Sequence, residues 1–478
     1  MASEHLKGSD GASAPILEPG QTFRSVSEKI SSLVLERKTG LGWFAGLGIT
    51  FLGFMMMMFA ISYLLYWGVG VWGVDIPVAW GFAIVNFVWW IGIGHAGTLI
   101  SAILYLMRQE WRTSINRFAE AMTLFAVVNA GLFPILHLGR QWLFYYLIPY
   151  PNTMTLWPQF RSPLVWDFFA VSTYLIVSLL FWYIGVVPDM ATLRDRAQSR
   201  LGQVTFGILS LGWRNSARHW KRFQSVYLLL AALATPLVVS VHTIVSWDFA
   251  VGIVPGWHST IFPPYFVAGA LFQGFAMVLI LTVPLRRFYH LEAYVTERHL
   301  DFMAQMTLVT GLIVTYGYVC ENFTGWYSGN IYERYLVINR ALGPYGWVYW
   351  LTLACNVVAP QILWFKWARR NTLILFLIGI IVSIGMWIER FTIVVTSLHR
   401  DFVPAAWGMF YPTIWDYATF FGTVGFFFML FLLFVRLFPV VPMFEVRELI
   451  TTLEKKGEYN KGSEASPSGV VSEGAQSA

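Results

Sequence analysis

Cysteine and charge are both scarce in this 478-residue chain. Only Cys320 and Cys355 occur, both inside apolar runs. An iron–sulfur cluster needs four ligands, usually cysteines, so this chain cannot hold one alone and any cluster belongs to a partner. Charged residues make up 12% of the sequence, against about 25% in an ordinary soluble domain, while 57% is hydrophobic and 18% aromatic. That balance excludes a water-soluble domain and implies a polytopic membrane protein. Histidines paired at a fixed spacing on two helices are also missing: His95, His137, His242 and His399 make no such pattern, which gives little support to a haem-carrying cytochrome. The first apolar run begins about 40 residues in, after a polar segment, so a cleaved signal peptide is not expected.

What is present is a series of apolar stretches long enough to cross roughly 30 Å of hydrocarbon. They lie near 43–67, 78–107, 118–148, 163–187, 224–246, 260–285, 302–325, 344–365, 373–398 and 416–438. The expected fold is therefore an all-α membrane protein of about ten transmembrane helices. Its expected organisation is an N-terminal segment over 1–40, a ten-span domain over 41–440 and a tail over 441–478. Within the first segment Phe23, Val26, Ile30 and Leu33 recur at helical spacing and predict a short amphipathic helix. The end of the tail, from Lys455, is rich in Ser, Gly and Glu and reads as disordered.

Of the 32 lysines and arginines, 26 fall in the termini and in every second loop. The opposite loops hold only Arg161, Arg334, Arg340 and Arg400, and Arg140 and Arg390 lie within helices. Basic residues are retained on the cytoplasmic face, so both termini are expected there. The net charge of +6 follows from this sidedness and gives no support for nucleic-acid binding.

With orientation assigned, each ionisable residue acquires a depth at about 1.5 Å per helical residue. The stretches "FPILHLGRQW", "RSPLVWDFFA" and "VSWDFAV" bring His137, Arg140, Asp167 and Asp248 to the outer end, and His258 follows in an outer loop. Glu321, Glu389 and Arg390 reach the outer third, with His399 at the mouth. Each has a plainer reading. Asp416, three residues after Thr413, is placed to cap its helix. Asp167 is not, because Ser162 and Pro163 already start that helix. Asp248 also reads as a solvated helix end, Glu389 and Arg390 as charges that pair with other helices to hold the bundle together, and His258 as part of an aromatic belt. His95, among Gly92, Gly94 and Gly97 near mid-membrane, reads first as an interior histidine at a close helix contact. Because intramembrane ionisable groups are expensive, their default reading is nevertheless functional.

A quinol losing two electrons and two protons needs an apolar slot and carboxylates or imidazoles within reach of its hydroxyls. The outer cluster supplies both acceptors, and an arginine beside a carboxylate keeps it charged. A secondary transporter is the rival from another class, but its site belongs at the midplane between repeats, whereas these charges crowd one face. A structural anchor with an unused pocket is the second rival. A proton route through His95 and Glu120 is a further expectation.

The stretches "VVPDMATLRDRA", "GWRNSARHW", "GIGHAGTLISAILYL" and "HLGR" followed by "RSPLVWD" resemble the NrfD/polysulfide-reductase type of membrane subunit. The span number and loop wording are most similar to the ActC-type subunit of bacterial alternative complex III. The resemblance implies two four-helix bundles plus peripheral helices and no metal in this chain. It implies oxidation of menaquinol or ubiquinol near the periplasmic face of the bacterial inner membrane, with protons released to that side. Implied partners are an iron–sulfur protein docked outside, multihaem cytochromes c, a homologous membrane subunit and a terminal oxidase. The quinol residues it implies are His137, Asp167 and Arg390 with Asp248 nearby. Around these Arg140, His258, Glu321 and Glu389 complete the expected quinone pocket. Retention of these residues argues against a paralogue with a degenerate quinone site. The outer segments 149–162, 247–260 and 326–343, rich in Trp, Tyr and Pro, are the expected cover for the partner.

Overall fold

The computed structural model describes residues 14–148, 161–457 and 459. Hydrocarbon offers no partner to a free N–H or C=O, and a helix pairs its own, so long apolar runs fold as helices. After α1 (Phe23–Leu35), ten helices among the described residues are long and apolar enough to span a membrane. They are α2 (Leu41–Trp67), α3 (Phe82–Leu106), α4 (Asn116–Leu136), α5 (Pro163–Arg196), α7 (Ala217–Ala250), α8 (Phe262–Phe288), α9 (Glu297–Tyr327), α11 (Gly346–Trp364), α12 (Thr372–Leu398) and α13 (Ile414–Leu437). Shorter helices are α6 (Arg200–Leu209), α10 (Ile331–Leu342) and α14 (Met443–Lys455). Among the described residues there is no strand.

Two rings of four helices form the body. In the first, α3, α4, α5 and α7 pack in turn; in the second, α8 packs on α9 and α12, and α11 packs on both. Contact between α3 and α8 joins the rings at the centre, and all of α3 through Thr98 is buried. Such close packing needs small residues. A Cβ on Gly97 would sit 2.2 Å from the Ala119 carbonyl oxygen, so only glycine lets α3 lie so close to α4. The pair α2 and α13 lies outside the rings, and most of α2 remains exposed.

Helix ends depart from the apolar runs in informative ways. The third run was expected to continue to 148, but α4 stops at Leu136 and a 3₁₀ segment over Gln141–Leu147 follows. Pro134 sits in the last turn, where the helix is already losing hydrogen bonds. Conversely α5 and α7 run past their apolar stretches into charged sequence, because backbone pairing does not stop where hydrocarbon does. Ser162 and Pro163 start α5, and Thr413 with Asp416 forms a capping box on α13. Two turns are π-helical: Leu99–Ile103 within α3 and Ala354–Val358 within α11.

Both described ends lie on one face, called here the terminal face. There α1 packs on α14, and the Gln21 N–H donates to the Tyr459 hydroxyl at 2.6 Å. Buried Val26, Ile30 and Leu33 of α1 join Val446, Leu449 and Ile450 of α14 in one apolar cluster. Residues 149–160 and 460–478, where a partner-covered segment and a disordered tail were expected, are outside the described residues.

Candidate functional site: buried polar groups within the helix rings

The residues expected to line a quinone pocket fall into three separate sets. The first is Asp167 on α5 and Asp248 on α7. Both are buried, the two carboxyls are close enough to affect each other's charge, and none of their four oxygens finds a hydrogen-bond donor. Two carboxyls so close cannot both be ionised without repulsion, so the pair is built to share a proton.

The second set centres on Arg390 of α12. Its guanidinium donates to Glu389 at 2.5 Å and lies over the Phe266 ring at 4.6 Å. Glu389 also accepts from the Tyr318 hydroxyl and, at 3.4 Å, from Asn356. Asn356 sits in the π-helical turn of α11, where the widened backbone delivers its side chain to Glu389 and, at 2.9 Å, to the Tyr318 oxygen. Arg390 Nε and Nη2 keep free donors, and a Cβ on Gly269 would approach Nη2 to 3.0 Å, so glycine leaves room for the fork. An arginine with unused donors in a buried site is suited to a ligand oxygen.

Phe266 links the two sets, because it also touches Phe249, the neighbour of Asp248, with ring centroids 5.6 Å apart. It lies 5.8 Å from the His242 ring, which in turn meets His95 edge-on at 4.6 Å. His95 donates from Nδ1 to the Ile91 carbonyl at 2.8 Å, whereas both His242 ring nitrogens lack a partner. Ring centroids this close leave no gap for a haem iron between them.

The third set lines a cavity of about 600 Å³ on the face away from the termini, formed by Trp247, His258, Thr260, Pro263, Glu321 and Glu333. Here Glu321 is paired with Arg340 at 2.6 Å, and the Glu333 carboxylate accepts from the Gly256 N–H. His258 is exposed and contacts its own loop at the Gly252 carbonyl. The cavity reaches Trp247 but not the Asp248 carboxyl. His137 and Arg140 stand apart from all three sets. His137 is half-buried and bonds back to the Phe133 carbonyl at 2.7 Å, and Arg140 is exposed.

Glu120 belongs to a cluster at the opposite end. It accepts from Tyr227 at 3.3 Å, beside the ion pairs Arg112–Glu445 at 2.7 Å and Arg117–Asp189 at 3.1 Å. Ser101, in the π-helical turn of α3, donates to the Gly97 carbonyl at 2.8 Å. Among the described residues no group of three or more His, Cys, Asp or Glu is arranged to hold a metal ion.

Sequence reasoning passed over Tyr318 and Asn356, which are neutral and therefore invisible to a search for charges. An asparagine in an apolar span was the available signal, since it too needs a partner in hydrocarbon. It also passed over the wiring of Glu445, whose partner Arg112 is 333 positions away.

Residues 70–400 match the family model described as Polysulphide reductase, NrfD. The chain belongs to that family. Two relatives match at low identity but over most of their length. One, from Halobacterium salinarum, is described as a putative membrane subunit of dimethyl sulfoxide reductase; it is 24% identical over 374 residues, covering 77% of this chain and 80% of the relative. The other is a selenate reductase subunit of Mesobacillus selenatarsenatis, 23% identical over 385 residues, covering 76% and 86%. This NrfD-family chain is thus a multi-pass membrane protein, as its ten span-length helices require.

Proposed function

We propose that this chain is the quinol-oxidising membrane subunit of a multi-subunit oxidoreductase. The observation that carries the reading is the Asp167–Asp248 pair: two buried carboxyls with no cation and no hydrogen-bond donor, with the ring pair Phe249–Phe266 between the helix position of Asp248 and a guanidinium with free donors. A quinol hydroxyl would donate to the ionised member of the pair, and a second oxygen would accept from Arg390. Oxidation releases two protons and two electrons. One proton goes to the carboxyl pair and the second to water at the same face, and the electrons leave through an iron–sulfur protein. Relatives named for reductases favour this direction, because a reductase must be supplied with electrons and a membrane pool of quinol is a source. The chain's own two cysteines are too few for the cluster.

The same reading places both termini in the bacterial cytoplasm, by the basic loops, and the carboxyl pair near the periplasmic side. There the iron–sulfur protein would cover residues 247–260 and 326–343. Membership of an alternative complex III, with multihaem cytochromes c, a homologous membrane subunit and a terminal oxidase beyond the iron–sulfur protein, is the finer proposal. A Soret band in the affinity-purified complex that disappears when the partners are stripped away is the expected result. Haem remaining with this chain alone would refute it.

The central test is Asp167→Asn, assayed in the whole complex. A lost proton acceptor should lower quinol:acceptor turnover by roughly 10²–10⁴-fold with subunit yield near normal. Arg390→Gln should lower both, since Glu389 then loses its cation. Full activity and full yield of the Asn variant would remove the carboxyl pair from the reaction.

A further inference from the structure

The terminal face carries a second cavity, unconnected with the quinone reading. It measures about 980 Å³ and lies between α1, α6 and the ends of α5 and α13. Two guanidiniums line it. Arg196 ends α5 and is steadied by the Ser31 hydroxyl at 3.1 Å; Arg436 lies in the last turn of α13 and donates to the Val34 carbonyl at 2.7 Å and to Thr39 at 3.0 Å. Among the described residues only one acid, Glu36, shares the lining. The rest of the wall is largely apolar, including Val34, Leu201, Phe206 and Phe438. The first turn of α6 opens onto the same space; Ser199 accepts the Gly202 N–H on its hydroxyl and the Gln203 N–H on its carbonyl, which leaves the Arg200 and Leu201 N–H groups without an intrahelical acceptor.

Helix α6 itself buries none of its residues. Leu201, Val204, Ile208 and, just beyond it, Leu211 recur on one side and are each at least 49% exposed. That apolar side lies at the level where two spanning helices end, with exposed Arg200, Arg214, Arg218, Lys221 and Arg222 around it. Water is an unfavourable neighbour for such a face. The boundary between headgroups and acyl chains is a favourable one.

We propose that the cavity is a binding site for an anionic diacyl phospholipid. Its phosphodiester lies between Arg196 and Arg436 at the start of α6, and its acyl chains follow Leu201, Phe206 and Phe438 toward the bilayer. Charge complementarity selects the anionic headgroup, and the apolar wall selects a lipid over a free phosphate. The bound lipid fastens α6 to the ends of α5 and α13.

The protein, purified in detergent, is titrated with phosphatidylglycerol, phosphatidylcholine or glycerol phosphate and followed by native mass spectrometry. Wild type should retain phosphatidylglycerol in preference to the other two. The double variant Arg196→Gln/Arg436→Gln should bind it roughly 20–30-fold more weakly, as expected for losing two arginines near a headgroup. Because Arg436 also holds α1, Thr205→Trp provides a second arm: it keeps both arginines, fills the cavity from α6, and should likewise lose phosphatidylglycerol. Arg218→Gln, outside the cavity, should bind as wild type. Equal binding of phosphatidylglycerol and phosphatidylcholine by wild type overturns the proposal, as does undiminished binding by the Trp variant. Glycerol phosphate binding as tightly as the lipid overturns the lipid part.

Discussion

Two buried polar regions, at opposite ends of the helix rings, handle charge in opposite ways. On the terminal side Arg112 and Arg117 face Glu445 and Asp189, with Asn116 donating to Glu445 at 2.9 Å, so each of those cations has its acid. At the other end Asp167 and Asp248 have neither a cation nor a donor, whereas idle guanidinium nitrogens occur in both regions, Arg117 Nε and Nη1 as well as Arg390 Nε and Nη2. Matched ions are what a bundle needs to bury charge at tolerable cost. Acids with neither cation nor donor make sense where a ligand completes the set. The first region therefore reads as structural and the second as a place for chemistry, although both are equally hidden from water.

The comparison breaks most visibly at Arg117. Arg117→Met strands Asp189 as a buried charge and should cost on the order of 3–5 kcal/mol, seen as low yield of folded protein. Adding Asp189→Leu should restore yield, because a neutral pair of similar volume is tolerated. If Arg117→Met instead folds as well as Asp167→Asn, the two regions do not differ in kind.

A smaller effect is expected at the guanidinium site. Tyr318→Phe removes the hydroxyl that bonds the Glu389 carboxylate, a hydrogen bond to a charged group worth about 1.5–3 kcal/mol. The melting temperature of the purified protein should fall by a few degrees. An unchanged value would mean that Arg390 and Asn356 satisfy Glu389 without the hydroxyl.

The smallest expected effect is a pH dependence on the face away from the termini. His399, just past the end of α12, is buried with Nδ1 at the Thr396 carbonyl and Nε2 near the Asn339 amide, and burial pushes its imidazole down to about 4. An unfolded histidine takes up its proton near pH 6.5. Above that value the folded protein keeps its full stability; between about 6.5 and 4 the unfolded chain binds a proton that the folded one refuses, and stability declines. His399→Gln should flatten this part of the stability–pH curve. A slope that persists in the variant would assign it to other groups.

Much of the fold was legible in the sequence because bilayer thickness sets a minimum length for each crossing, and ten runs meet it. Depth was legible too: Asp167 could be placed inside α5 because Ser162 and Pro163 announce the helix start. Depth does not say which helices are neighbours. His137 and Asp167 share a level, yet His137 turns to its own helix and Asp167 turns to Asp248 on α7. Glu389 and Arg390, adjacent in sequence, proved to be each other's partners, which neither periodicity nor charge counting foretells. The π-helical turns were equally hidden, since nothing in "TLISAIL" or "LACNVV" differs from ordinary helix-forming sequence.

Those two turns make a difference of phase. A π turn accommodates one residue more than the α-helix around it, so everything beyond it is rotated by about 100° relative to an unbroken helix. Deleting one residue from 354–358 would restore regular α-helix yet swing Asn356 and all that follows onto a different side of α11. The same deletion in 99–103 would carry Tyr105, beyond the turn, away from the Arg112 guanidinium that lies 4.6 Å from its ring. Each polar side chain is thus aimed by a single extra position in the chain, so a one-residue deletion here should do more damage than most substitutions at the same places.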